Sequence, residues 1–353
     1  MNRKQRLKLI LIVIAAAVCI TAVLLIASRL EERLAKEPAG ADTSPTVSTV
    51  RRDEEASADG AVSPLNDDSE PVMLIQYGDR AYRFNTDLDV LLLMGIDDYG
   101  LTEYENYQND SQADFLLLAV FDPSDKAVTL LHINRDTMMD VPLPDGNGGI
   151  YGYTFEQITL AHSYGSGLED SCENTALAVS ELLYGIPIDN YFAVTMDTIP
   201  IVNDLAGGVT VTVEDSFEGI DDTLIQGQTV TLMGDQAESF VRARRGMPED
   251  ASNIARMRRQ RTYMTALIAA MKRASAENDG FAFDLFSAIN DYLVTDCTAG
   301  ELYDYINRLS DYSLGEIISP EGEIVQGEIY KEFYVDEEAL QALVVELFFV
   351  PAE

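Results

Sequence analysis

The 353-residue sequence predicts an α/β protein: an α-β-α sandwich around a central mixed β-sheet, preceded by one N-terminal transmembrane helix. Three observations point there. Nearly continuous apolar runs at 89–97, 114–121 and 127–134 read as strands covered on both faces. Stretches suited to helices alternate with strands, which places helices on both sides of one sheet. Ahead of them lies an apolar run at 9–27, long enough, at about 1.5 Å per helical residue, to cross a bilayer core.

Arg3, Lys4, Arg6 and Lys8 precede that run with no acidic residue, and Glu31 and Glu32 follow it, although Arg29 and Arg33 weaken the asymmetry. The positive-inside rule puts residues 1–8 in the cytoplasm, makes 9–28 the anchor and leaves the rest outside. A cleaved signal peptide is the rival reading. The run is long for one, no small-x-small site follows closely, and Val18 before Cys19 is a poor lipoprotein context. Residues 29–70, rich in Ala, Ser, Thr, Pro, Gly, Asp and Glu, read as a flexible extracellular linker.

A β-hairpin lead-in at 71–88 turns at Tyr77-Gly-Asp-Arg80. The main domain, 89–275, then carries the three apolar strands. Helices are predicted at 154–164, 171–183, 199–204 and 254–273, and further strands at 191–196, 209–213 and 238–244. Residues 276–353 read as an α/β extension packed on that domain; its apolar 343–350 run is too short to span a membrane.

Sixty acidic residues against 24 basic ones give a formal net charge of −36, a surface that repels nucleic acid. Cys172 and Cys297 either pair or stay as free buried thiols, since spacing alone decides neither. His132 and His162 read as core residues. No Ser-His-Asp set, zinc spacing or P-loop is visible.

Against that acidity, arginines crowd 242–261: Arg242, Arg244, Arg245, Arg256, Arg258, Arg259 and Arg261. Arg242 and Arg244, two apart on a predicted strand, point to one face. Arg256, Arg259 and Gln260 share a predicted helix face, while Arg258 and Arg261 read as solvated. Planar guanidinium groups suit phosphate through paired, permanently charged hydrogen bonds; ion pairs with acids such as Glu249 and Asp250 are the bland alternative. Asp97 ends one strand, Asp114 begins another, and Arg135-Asp136-Thr137 follows a third, at strand ends where α/β sheets gather ligands. Carboxylates beside phosphate suit magnesium. Asp98 and Asp110 are nearby alternatives, and an aspartate taken alone is more often a turn former or helix cap than a metal ligand.

The ordered motifs Leu93-Met-Gly-Ile-Asp97, Asn134-Arg-Asp-Thr137, Ile158-Thr-Leu-Ala-His-Ser-Tyr-Gly165, Tyr184-Gly-Ile-Pro-Ile-Asp-Asn-Tyr191, Asp204-Leu-Ala-Gly-Gly-Val209, Leu232-Met-Gly-Asp-Gln-Ala237, Val241-Arg-Ala-Arg244 and Arg256-Met-Arg-Arg-Gln260 resemble the LytR-CpsA-Psr family of cell-wall glycopolymer ligases. The resemblance covers about 89–273 and implies a catalytic domain of that family's type. It implies transfer of a glycopolymer from a polyprenyl-pyrophosphate carrier to peptidoglycan through a phosphodiester, outside a Gram-positive-type cell membrane, with no nucleic-acid partner. By the same resemblance, Asp97 and Asp114 bind Mg2+ (or Mn2+). Arg135, Arg242, Arg244, Arg256 and Gln260 bind the pyrophosphate, and Arg135, Asp136, Arg242 and Arg244 carry catalysis. The sequence departs from the family at Asn134 (usually Pro), Gln157 (usually Lys) and Thr159 (usually Asn). A non-catalytic binder of polyprenyl phosphates, a polyprenyl pyrophosphatase and a transcriptional regulator are the alternatives; charge and anchor orientation oppose the last.

Overall fold

The computed structural model describes residues 73–352 except 106–107, 147, 244–252, 279, 299, 302–303, 306–307 and 309–311. The predicted helix at 9–28 lies outside the described residues, among which no helix is long and apolar enough to cross a membrane. Strands β1 (Leu74–Tyr77) and β2 (Arg80–Phe84) form the expected hairpin, with Gly78 supplying the positive φ of its turn. Strands β3 (Asp89–Ile96), β4 (Ala113–Asp122) and β5 (Ala127–Ile133) follow the three apolar runs. Each is buried along nearly its whole length, as expected for strands covered on both faces.

The predicted helix at 154–164 is not there. Strands β6 (Met138–Pro144) and β7 (Ile150–Gln157) pair as an antiparallel hairpin instead, and only Ile158–Ser163 is helical, as a 3-10 turn. The alternation of Tyr151, Tyr153 and Phe155 has the two-residue period of a strand, and aromatic rings suit that conformation. Helix α1 (Glu169–Leu182), β8 (Asn190–Thr195), α2 (Thr198–Leu205) and the β9 (Val209–Thr212)–β10 (Thr229–Leu232) hairpin follow. The predicted strand at 238–244 is also overturned. Asp235–Arg242 is a helix, α3, with Asp235 and Glu238 in its first turn and Ala237, Phe240 and Val241 buried at helical spacing. Helix α4 (Asn253–Glu277) is the long arginine-bearing helix.

Beyond it come α5 (Phe281–Ile289), β11 (Leu293–Thr295), β12 (Ser313–Ile318), the β13 (Gly322–Gln326)–β14 (Lys331–Val335) hairpin, α6 (Glu337–Phe348) and β15 (Phe349–Pro351). The central six-stranded mixed sheet runs β11-β8-β3-β4-β5-β12. Strands after residue 275 therefore form both of its edges, and β15 adds to the β1–β2 hairpin. One face packs Leu91, Leu93, Leu117, Phe121 and Leu130 against side chains of α2, α3, α4 and α5. The other packs Val90, Leu92, Met94, Leu116 and Leu118 against α1 and α6. Each such fully buried side chain stabilises the fold by about 1.5–3 kcal/mol.

Candidate functional site

Strand pairing assembles the site. Antiparallel β3 and β4 set Ile96 opposite Ala113, so Asp97 and Asp114 stand at one end of the sheet; the Asp97 amide donates to Gln112 O at 2.8 Å. Strand β5, antiparallel to β4 with Leu116 opposite Ile133, brings the 134–137 turn to the same end. Asn134 shapes that turn. Its Oδ1 accepts from the Asp136 amide at 3.0 Å, and its carbonyl accepts from Thr137 Oγ1 at 2.7 Å. Arg135 thereby reaches across β4. Its Nη1 contacts Asp114 Oδ1, Nη2 donates to Gln112 Oε1 at 2.9 Å, and Nε donates to Asp136 Oδ1 at 3.1 Å.

Two helices deliver the remaining arginines. Arg256, near the start of α4, donates from Nη1 to Asp114 Oδ2 at 2.9 Å. Arg242 ends α3; its Nη2 contacts Asp97 Oδ1, and its Nη1 donates to Glu238 Oε1 at 2.6 Å and Tyr99 Oη at 2.8 Å. Burial pulls the Arg242 pKa down, but the Glu238 hydrogen bond and the Asp97 charge outweigh it and the net shift is upward. The Tyr99 hydroxyl is raised, first by its bond to Glu238 and then by burial. Neither Tyr99 nor Glu238 stood out in the sequence, because their meeting with Arg242 joins residues 139 to 143 positions apart together with one helical i,i+4 pair.

An apolar pocket of about 1010 Å³, open solvent at its mouth included, adjoins these charges. Phe115, Phe192, Val202, Met264 and Leu267 line it, and Asp114, Arg242, Arg256 and Gln260 share its wall. Gln260 Oε1 is buried there with no hydrogen-bond partner among the described residues. Asp97 and Asp114 stand at one sheet end with oxygens turned to Arg242 and to Arg135 and Arg256, so a divalent ion held there would share or displace those guanidinium contacts. Among the described residues no third acidic, His or Cys group joins them in a cage, so a divalent ion would take its other ligands from water and phosphate. That donor set suits magnesium.

Not every candidate residue is placed at the site. Arg244 and Arg245 lie outside the described residues. Arg259 does not join Arg256: it donates to Asp215 Oδ2 at 2.8 Å and Phe240 O at 3.1 Å, binding α4 to α3. Arg258 is half exposed and pairs with Asp215. Arg261 is not solvated; its Nη2 donates to Ser319 Oγ at 3.0 Å, and burial lowers its pKa. Gln157 donates to Lys331 O at 2.8 Å and Thr159 to Ala113 O at 3.0 Å, so both departures from the family motif serve the backbone. Asp98 accepts from the Tyr99 amide and Tyr104 Oη, and Asp110 is exposed. Burial, as the leading cause, lowers the pKa of His132 to about 3 and of His162 to about 4, in keeping with core positions. Cys172 and Cys297 are free thiols.

The chain is 27% identical over 214 residues to the polyisoprenyl-teichoic acid–peptidoglycan teichoic acid transferase TagU of Bacillus mycoides, covering 61% of this chain and 62% of that one. The TagU of Enterococcus faecalis matches at 27% over 60% of this chain and 62% of its own length. The chain thus spans about 62% of the length of these relatives. Among solved structures, B. subtilis TagV superposes with a TM-score of 0.55 at 25% identity, over 74% of this chain and 96% of TagV. TagT bound to LIIa-WTA gives 0.54 at 24% identity, over 74% and 90%, and shares the fold. The LytR_cpsA_psr family model matches residues 56–346, most of the sequence, and the chain belongs to that family.

Proposed function

We propose that the chain is a phosphotransferase that moves a glycopolymer from a polyprenyl-pyrophosphate carrier to peptidoglycan, leaving a phosphodiester link. One observation carries the reading: an apolar pocket whose wall holds two guanidinium groups and a carboxylate, chemistry suited to a lipid tail joined to an anionic head. The names of the TagU relatives support the same class of reaction. The predicted anchor and linker would hold the domain outside the cell membrane, beside such a lipid.

In this reading a peptidoglycan hydroxyl attacks the phosphorus that bears the glycopolymer. The phosphoanhydride bond breaks, and polyprenyl phosphate departs with the bridging oxygen. Arg135, Arg242 and Arg256 hold the non-bridging oxygens, with Gln260 alongside and Arg244 as a further phosphate ligand. Asp136 holds Arg135 through its Nε. Magnesium or manganese on Asp97 and Asp114 would supply charge neutralisation at the leaving phosphate. The anhydride provides the driving energy, so no nucleotide is required.

The test uses the full chain in lipid nanodiscs with a polyprenyl-pyrophosphate-linked glycan and peptidoglycan. Release of polyprenyl phosphate together with glycan bound to peptidoglycan is expected, stopping on chelation and in Asp114→Ala. Release of free glycan phosphate whether or not peptidoglycan is present would identify a pyrophosphatase and overturn the transferase reading. Binding of the lipid with no turnover would identify a carrier.

A further inference from the structure

The β6–β7 hairpin rises directly from the arginine turn: Met138 follows Thr137, the Ile158 amide donates to Thr137 O at 2.8 Å, and the Thr159 amide donates to Arg135 O at 3.2 Å. Its second strand carries Tyr151, Tyr153 and Phe155 at alternate positions, hence on one face. Their exposures are 71%, 54% and 58%, far above what aromatic rings reach in a packed face. The three span two strand intervals, about 13 Å, leading away from Arg135.

Carboxylates accompany the rings. Asp140 is exposed and stands opposite Phe155 in the register, and Tyr153 Oη donates to Glu181 Oε1 at 3.0 Å, which fixes that ring before any ligand arrives. The hairpin tip reads Asp145-Gly-Asn-Gly-Gly149, polar and without a bulky side chain. A membrane-dipping hairpin has the opposite design, an apolar tip and basic flanks. A row of rings beside carboxylates suits the ligand that offers both apolar C–H faces and hydroxyl donors, a sugar polymer.

We propose that the outward face of β7 is a glycan-binding platform that lays the acceptor strand of peptidoglycan toward the arginine site. Sugar rings stack on Tyr151, Tyr153 and Phe155, and their hydroxyls donate to Asp140 and Glu181. The assignment of the ligand as the acceptor rests on the transferase reading above; the platform itself does not require turnover.

The experiment is co-sedimentation of the full chain, in detergent micelles, with purified peptidoglycan sacculi. The wild-type chain is expected to sediment with sacculi. The triple variant Tyr151→Ser/Tyr153→Ser/Phe155→Ser should bind at least roughly tenfold more weakly, the scale of losing aromatic anchors, with an unchanged melting curve and unchanged binding of a polyprenyl pyrophosphate. Tyr151→Phe, which keeps the ring, should bind like wild type. Wild-type binding by the triple variant overturns the platform. So does a wild-type chain that fails to sediment with sacculi. Loss of lipid turnover in the wild type with sacculus binding intact would sink the transferase reading and leave the platform standing.

Discussion

Asp114 faces two guanidinium groups, Arg135 and Arg256, and all three side chains are less than a tenth exposed. Removing the carboxylate takes away the charge that Arg135 and Arg256 share, although Asp136 still faces Arg135 at 3.1 Å. The Asp114→Asn variant is therefore expected to lose about 3–5 kcal/mol, the usual cost of halving a buried ion pair. Inorganic pyrophosphate should restore part of the melting temperature by supplying the negative charge that Asp114 gave to the two guanidinium groups. Thermal melts with and without pyrophosphate check both effects, and a variant as stable as wild type would show that Asp114 does not balance these charges. The two histidines make a pH prediction. Each is neutral in the fold, protonating only near pH 3 (His132) or pH 4 (His162), whereas an unfolded histidine protonates near 6.5. The unfolded chain thus binds more protons between these limits. Stability from their burial is complete above about pH 6.5 and falls on acidification by about 1.4 kcal/mol per unit for each histidine. Denaturant melts between pH 7 and 4.5 should show this fall, with a shallower slope in His132→Phe.

At the scale of elements, α3 and α4 decide which arginines reach the site. Arg259 donates to the carbonyls of Phe240 and Ala243 and to Asp215, tying the start of α4 to the end of α3. Arg258, one residue earlier, is half exposed. The Arg259→Met variant should cost about 2–4 kcal/mol, since it removes the donor to the carbonyls of Phe240 and Ala243 and leaves Asp215 with Arg258. Arg258→Ala should stay within about 0.5 kcal/mol. Chemical denaturation of the two variants checks the contrast; equal effects would refute it. These elements were also the least legible in the sequence. The stretch Val241-Arg-Ala-Arg244 alternates like a strand over four residues, too short a window to tell a period of 2 from one of 3.6. The structure resolves it through the Glu238–Arg242 i,i+4 pair and the buried Ala237, Phe240 and Val241. The converse error at 154–164 arose because β7 is a strand only in company with β6, and cross-strand pairing is a long-range fact.

For the whole molecule, the C-terminal segment is part of the fold it was expected to lie against. Strands β11 and β12 close both edges of the central sheet, and Val344 and Phe348 of α6 are fully buried on the face that also holds Val90 and Leu92. Ending the chain after residue 275 strips both edges and uncovers that face. The truncated protein is expected to lose its near-ultraviolet circular dichroism and to aggregate; a cooperative melt from residues 1–275 would contradict this.

The long apolar runs of β3, β4 and β5 marked the strands of the central sheet in the sequence alone, because continuous burial on both faces leaves a compositional mark that needs no partner to be named. Asp97, Asp114 and Arg135 were legible for the same reason, each sitting at the end of one of those runs. The convergence of Arg242 and Arg256 on them, the partition of Arg259 away from the site, and the apolar pocket were decided only by tertiary structure. They depend on the angle at which α3 and α4 cross the sheet, and that angle is set by packing among side chains distant in sequence.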